Sequence, residues 1–273
     1  MSFDALEVSG ASGKPMLLFQ FTRDFIHWRW TNAQQPQVLL GQTFAPINIS
    51  ASKIRQGTEP AKLTRTITLP HTSPLAALYR PFPPSDPISI IIWQRHDGEP
   101  ETPVEWVGRV VGAEFEGAQL RLTCQPSSAS ARRAGRSRAW QRGCPHALYS
   151  LGDGLCNVNR ATFEISAQIL TNIGSKITAN AFATLPDGRL AGGLLEWVLP
   201  DGTRERRGID AHVGNEVTLS FPAPSLPVGG NAIAAPGCAH DVTDCDHFFS
   251  NINNFGGNPY TPDRSPFDGD PVF

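Results

Sequence analysis

No apolar run in this chain approaches the ~18 residues of a membrane-spanning helix, which argues against a helical membrane span. Charge of one sign is lacking as well. The formal net charge of −2 leaves no electrostatic footprint for nucleic acid. Residues 1–25 show no basic stretch followed by an apolar one, so no export to an oxidising compartment is expected. Methionine is scarce, at 2 residues, whereas turn formers abound, with 25 glycines and 24 prolines. That much punctuation disfavours long helices and favours many short strands. At 273 residues, 40% of them hydrophobic, the chain suits one large or two ordinary domains with a sizeable core.

The residue pattern predicts a mostly β protein of two β-rich domains. Residues 16–21, 27–31, 43–50, 61–69, 88–94, 104–116 and 119–125 read as strands, with one short helix at 74–79. Leu63, Ile67 and Leu69 share one parity, the alternation of a half-buried strand. The run ISIIIWQ at 88–94 is continuously apolar, which predicts burial on both faces. These elements make a first domain, 1–126. Residues 127–143 form a connecting arm with RRAGRSR at 132–138, either a solvated linker or a contact surface for an acidic partner. Strands resume at 161–170, 176–182, 190–199, 203–210 and 215–221, with PDG turns between them, in a second domain, 144–237. Residues 238–273 hold too little periodic apolar content to fold alone. They predict an extended tail that lies across the rest of the protein or another subunit.

Four of the five cysteines form two pairs, Cys144 with Cys156 and Cys238 with Cys245, each in a stretch rich in Gly, Pro, Asp and Asn. Cys124 alternates with Leu122 in a strand and reads as a core thiol. Flanks of turn residues suit the other four to a metal or iron–sulfur site better than to a core. Disulfides and unlinked thiols stay open as readings, though an odd cysteine count leaves one thiol over. Zinc is the chemical competitor, because His146, His240 and His247 each lie within two residues of a cysteine. The spacings are not the short ones usual for zinc, so each histidine reads first as a neighbour of the site. Catalysis by Cys144 with His146 is a weaker reading, since no third, orienting group is evident.

The pattern of Arg142, Cys144, Tyr149, Gly152, Asp153, Cys156 and Val158, followed by Cys238, Cys245, Asn251, Asn254, Phe255, Gly256, Gly257 and Pro259, resembles the tail-tip proteins of long-tailed bacteriophages. It is similar to the conserved tail proteins of gene transfer agents and Mu-like siphophages, relatives of protein L at the lambda tail tip. The resemblance is dense over about 140–260 and weak over the first half of the chain. It implies a structural, non-enzymatic virion protein at the distal tail hub, forming a homotrimeric ring between the distal tail protein and the central fibre. Assembly in the host cytoplasm is implied, with DNA passing through the hub lumen without sequence-specific contact. It further implies that Cys144, Cys156, Cys238 and Cys245 hold a [4Fe-4S] cluster that pins the tail. The alternatives are the same role with a Cys/His zinc site, or a cysteine-dependent tail-associated enzyme.

Overall fold

The structure, a computed structural model, describes residues 3–9, 13, 15–54, 63–132 and 141–262. Most of the arginine-rich arm, 133–140 with Arg133, Arg136, Arg138 and Trp140, and the last stretch of the tail, 263–273, lie outside the described residues. The chain divides into two compact units, Met1–Ala134 and Gly135–Phe273. Both are built on β-sheet, as the turn-rich composition predicts.

The first unit holds β1 (Pro15–Arg23), β2 (Ile26–Thr31), β3 (Gln37–Leu39), β4 (Gln42–Pro46), β5 (Ser50–Ala51), β6 (Arg65–Pro70), β7 (Ser89–His96), β8 (Val104–Glu116) and β9 (Gln119–Pro126). Among the described residues they form a nine-stranded sheet in the order β3-β4-β2-β1-β7-β8-β9-β6-β5. Only β2 and β4 pair in parallel; the other neighbours run antiparallel. Alternation decides the faces. Ile67 and Leu69 of β6, Ile90 and Ile92 of β7, and Leu120, Leu122 and Cys124 of β9 are sealed in one core. The apolar run of β7 is fully buried on one face only, since Ile91 and Trp93 remain half-covered. Arg65 occupies the core parity of β6 too. Its charge is tolerated because Glu105 accepts both guanidinium ends at 3.1 Å and the Ser52 carbonyl takes a third bond at 2.9 Å. Burial pushes the Cys124 thiol up to about 12, the state of an inert core sulfur.

The second unit carries β10 (Ile165–Gln168), β11 (Thr171–Ile173), β12 (Lys176–Thr178), β13 (Leu194–Val198), β14 (Arg204–Val213), β15 (Glu216–Leu219) and β16 (Asn231–Ala235). Its sheet runs β10-β16-β13-β14-β15-β12-β11, antiparallel throughout, over a core that includes Phe182, Leu190, Leu195, Trp197 and Val217. Four expected strands are shorter than read: 161–170 is strand only over Ile165–Gln168, because Arg160–Phe163 forms a short helix capped by Asn159, and 215–221 is strand only over Glu216–Leu219. Past Thr178 the chain turns so that Phe182 can enter the core, and a turn at Gly192 (φ 73°) delays β13 to Leu194. A strand absent from the sequence reading, β16, lies between β10 and β13 and leads straight into Pro236-Gly237-Cys238. Over its described residues, 238–262, the expected extended tail instead coils through short turns, a π-helical turn at Asp244–Phe248 and a 3-10 turn at Ile252–Asn254.

Candidate functional site

The first cysteine loop is tied by its own side chains. Asn157 donates its N–H to the Ser150 carbonyl at 2.7 Å, and its side chain both accepts from the Gly152 N–H and donates to the Gly152 carbonyl. The chain takes left-handed conformations at Gly152 and Gly154, where glycine costs nothing, and at Asn157, where the side-chain amide's bonds to Gly152 and Leu155 offset the strain. This curl turns Cys156 inward, 8% exposed, with its N–H on Ser150 Oγ. Asn159 then caps the short helix α1 (Arg160–Phe163), and Arg160 bonds Glu164 and Glu196 of β13.

The second loop hangs from β16. At Gly237 any side chain would collide with the Ala191 carbonyl, so the strand end lies flat on the turn at 191–193. Arg189, from the same turn, clasps the second loop just past that strand end. Its guanidinium bonds Asp244 at 2.5 and 2.8 Å and the Gly237 carbonyl at 2.6 Å, and it lies 3.9 Å over the Phe248 ring. That pairing holds the Asp244 carboxyl below the usual carboxylate range, against burial, which works the other way. The π-helical turn places Cys245 inside, 7% exposed, and sends Phe248 and Phe249 against Phe163, with Phe249 also on Tyr149. The Tyr149 hydroxyl donates to the Pro236 carbonyl at 2.7 Å.

The two loops are bonded to each other. Cys144 N–H donates to the His240 carbonyl at 2.7 Å, while His240 Nδ1 meets the Cys144 carbonyl at 3.0 Å. Asn251 Nδ2 donates to the Cys156 carbonyl at 2.6 Å. Beyond it the strap of Phe255, Gly256 and Gly257 crosses the first loop. Gly256 N–H points at Cys144 Sγ at 3.4 Å, as His240 N–H does at Cys238 Sγ at 3.3 Å. Side chains are excluded there: a methyl on Gly256 would strike the His146 ring, and one on Gly257 would lie 2.5 Å from the Arg142 carbonyl. The sulfurs feel one another. Burial pushes the Cys245 thiol up to about 11, and the Cys144, Cys238 and Cys156 thiols push in the same direction. Cys238 is raised by burial too, with Asp244, Cys156 and Cys144 adding to it and the His240 N–H opposing.

Among the described residues, no three His, Cys, Asp or Glu side chains are placed to hold a metal ion. Of the three histidines, His240 uses one ring nitrogen on a backbone carbonyl, His146 lies under Gly256, and His247 is exposed. The thiols fit an iron–sulfur cluster in their chemistry: a donor set of sulfur alone, with backbone N–H groups directed at two of the sulfurs. A bound cationic centre would also relieve the mutual repulsion that ionising these thiols brings.

Residues 188–265 match the family model described as phage conserved hypothetical protein BR0599. That segment of the chain resembles a phage protein family. The matched segment holds Cys238, Cys245, Asn251 and the glycine strap. An uncharacterized protein of Xylella fastidiosa is 31% identical over an alignment of 216 residues that covers 72% of this chain and 45% of that protein. The chain thus spans less than half the length of that relative. A solved structure described as the virion of a native gene transfer agent particle contains a chain that is 17% identical, with a TM-score of 0.76. The match covers 99% of this chain and 96% of that one, a likeness of fold.

Sequence reasoning missed Arg189 and its acceptor Asp244, which organise the second loop. No local signal could reveal them, because 55 residues separate the partners. It missed Glu196 as well. Burial opposes ionisation of this carboxyl, but hydrogen bonds from Arg160 and Arg204 outweigh it and hold it below the usual range. Its stabilising effect is therefore complete above the ordinary glutamate value, about 4.3, and fades as pH falls through the lower folded value. Thermal denaturation between about pH 5 and 2 should show a steep acid loss in the natural chain and a shallower one in Glu196→Gln.

Proposed function

We propose that this protein is a structural component of a phage-type virion, placed at the distal hub of the tail, with no catalytic role. It acts there as a threefold ring between the distal tail protein and the central fibre. Cys144, Cys156, Cys238 and Cys245 hold a [4Fe-4S] cluster that staples the segment after β16 to the loop before α1. The carrying observation is the fold likeness to a gene transfer agent virion chain along 99% of this sequence. The matched phage-family segment supports it from a second side, because that segment contains one of the two thiol loops.

A staple suits this chain physically. Residues 236–262 bury few large side chains beyond Phe249 and Cys245, so their order depends on the clasp, the strap and whatever joins the sulfurs. Closing a loop of roughly 100 residues is worth about 4–5 kcal/mol on the chain-entropy model, and binding at four thiolates adds directly to folding free energy.

Location is tested by gold labelling of an epitope-tagged chain in purified particles, with cryo-electron microscopy of the tail. Label at the distal tail tip and threefold density for this chain are expected. Label on the head, or normal tails in particles lacking the chain, would remove the hub reading. Metal analysis of anaerobically purified chain should return iron with acid-labile sulfide; stoichiometric zinc without sulfide would replace the cluster by the Cys/His alternative.

A further inference from the structure

Two residues touch a cysteine in each loop: His240, on Cys144 and Cys238, and Asn251, on Cys156 and Cys245. Asn251 Nδ2 donates to the Cys156 carbonyl and stands 3.9 Å from Cys156 Sγ. The Asn251 main-chain carbonyl accepts the Cys245 thiol at 3.3 Å, and its main-chain N–H donates to the Cys245 carbonyl at 2.8 Å. Its amide cannot turn freely, because Asn254 Nδ2 donates to Asn251 Oδ1 at 2.7 Å, which leaves the NH₂ group facing Cys156. Asn254 in turn accepts from Asn157, inside the first loop. The other two sulfurs are served differently: Cys144 takes its N–H bond from Gly256 and Cys238 from His240.

We infer that Asn251 is a positioning residue that couples Cys156 to Cys245, its side-chain amide holding Cys156 and its main chain holding Cys245, so that the two buried thiols are set in place as a pair by one residue. Its use in the protein rests on the four-thiol reading above, since a site spanning two loops closes only if sulfurs from both are fixed together. The coupling is asymmetric. Asn251 offers a donor toward Cys156 and an acceptor to Cys245, so Cys245 must leave the carbonyl before its sulfur can serve as a ligand, whereas Cys156 need not. Hydrogen bonds to sulfur also help set the potential of any iron centre held there.

The coupling can be read without iron. Reduced, metal-free chain is treated with iodoacetamide under native conditions, and the rate at each cysteine is followed by mass spectrometry. In Asn251→Ala the rate at Cys156 should rise by about tenfold, the equivalent of one net hydrogen bond, and that at Cys245 should rise with it but less, because its main-chain bonds survive and loosen only as residue 251 loses its anchor on Cys156, while Cys144 and Cys238 stay near the natural rate. Asn251→Leu keeps the side chain's size but loses the donor without adding charge, so it should raise Cys156 as much and serves if the alanine variant does not fold. An unchanged Cys156, a rise at Cys156 without Cys245 in the alanine variant, or an equal rise at all four thiols would overturn the inference. After reconstitution with ferrous iron and sulfide, the leucine variant, which adds no charge, should show a shifted midpoint potential, which mere structural support would not produce. Natural chain that takes up neither iron nor sulfide would remove the cluster reading alone, leaving the alkylation rates to decide the pairing.

Discussion

Cys238→Ser should leave the purified chain without iron and open residues 238–262 to proteolysis. The same outcome is expected at Cys144, Cys156 and Cys245, because loss of any one sulfur leaves an incomplete centre. Two contributions are lost together: binding free energy on the order of 10 kcal/mol, as in structural zinc peptides, and the restraint on a long loop, about 4–5 kcal/mol. Hydrogen bonds such as that from Cys144 to His240 would remain, so partial local order survives while the staple does not. Double variants among the four should be scarcely worse than singles, since the members of one site are coupled. Cys124→Ser is the control. It places a hydroxyl in the sealed core of the other unit, which costs about 1–3 kcal/mol and leaves iron content unchanged. Metal and sulfide analysis with limited proteolysis on all five variants decides the matter; Cys238→Ser with full iron and a protected loop would break the four-thiol assignment.

Much of this architecture can be read from residue types, and the exceptions share a cause. The strands of the first unit follow from alternation, as in β6, where every second side chain is buried. The cysteine loops were findable because turn residues flank the thiols, and the structure shows why: Gly152, Gly154 and Asn157 adopt left-handed backbone that few other residues accept. What stayed hidden depends on distant neighbours. The strand β16 is NAIAA, without the β-branched alternation that marks a strand, and it is a strand because β10 and β13 supply partners on either side. Its alanines suit a place where larger side chains would not fit, with Ala232, Ala234 and Ala235 all buried. Arg189 likewise gains its meaning only when the fold brings Gly237, 48 positions later, under its guanidinium.

Gly237→Ala should be the most damaging small substitution in the second unit. The backbone conformation at Gly237 is not left-handed, so strain in φ plays no part; the obstacle is space. A β-carbon there would overlap the Ala191 carbonyl oxygen and crowd Gly192 and Gly193, all main-chain atoms that cannot swing aside as a side chain can. Gly193 presents the reciprocal case, since its own β-carbon would strike the Ala235 carbonyl. The two glycines thus let the end of β16 lie against the 191–193 turn at backbone contact. Separating them by one methyl group would pull Gly237 from Arg189, loosen the bidentate grip on Asp244, and shift Cys238 at the next position. The expected cost is about 4 kcal/mol or more, the range reached only by core or backbone disruption. Denaturant unfolding should show it as a lowered midpoint, with iron content falling in parallel. Gly188→Ala provides the comparison: nothing lies near its β-carbon, so only its positive φ of 81° is penalised, at about 1–2 kcal/mol. If Gly237→Ala were no worse than Gly188→Ala, the close approach at the end of β16 would not be what positions the second thiol loop.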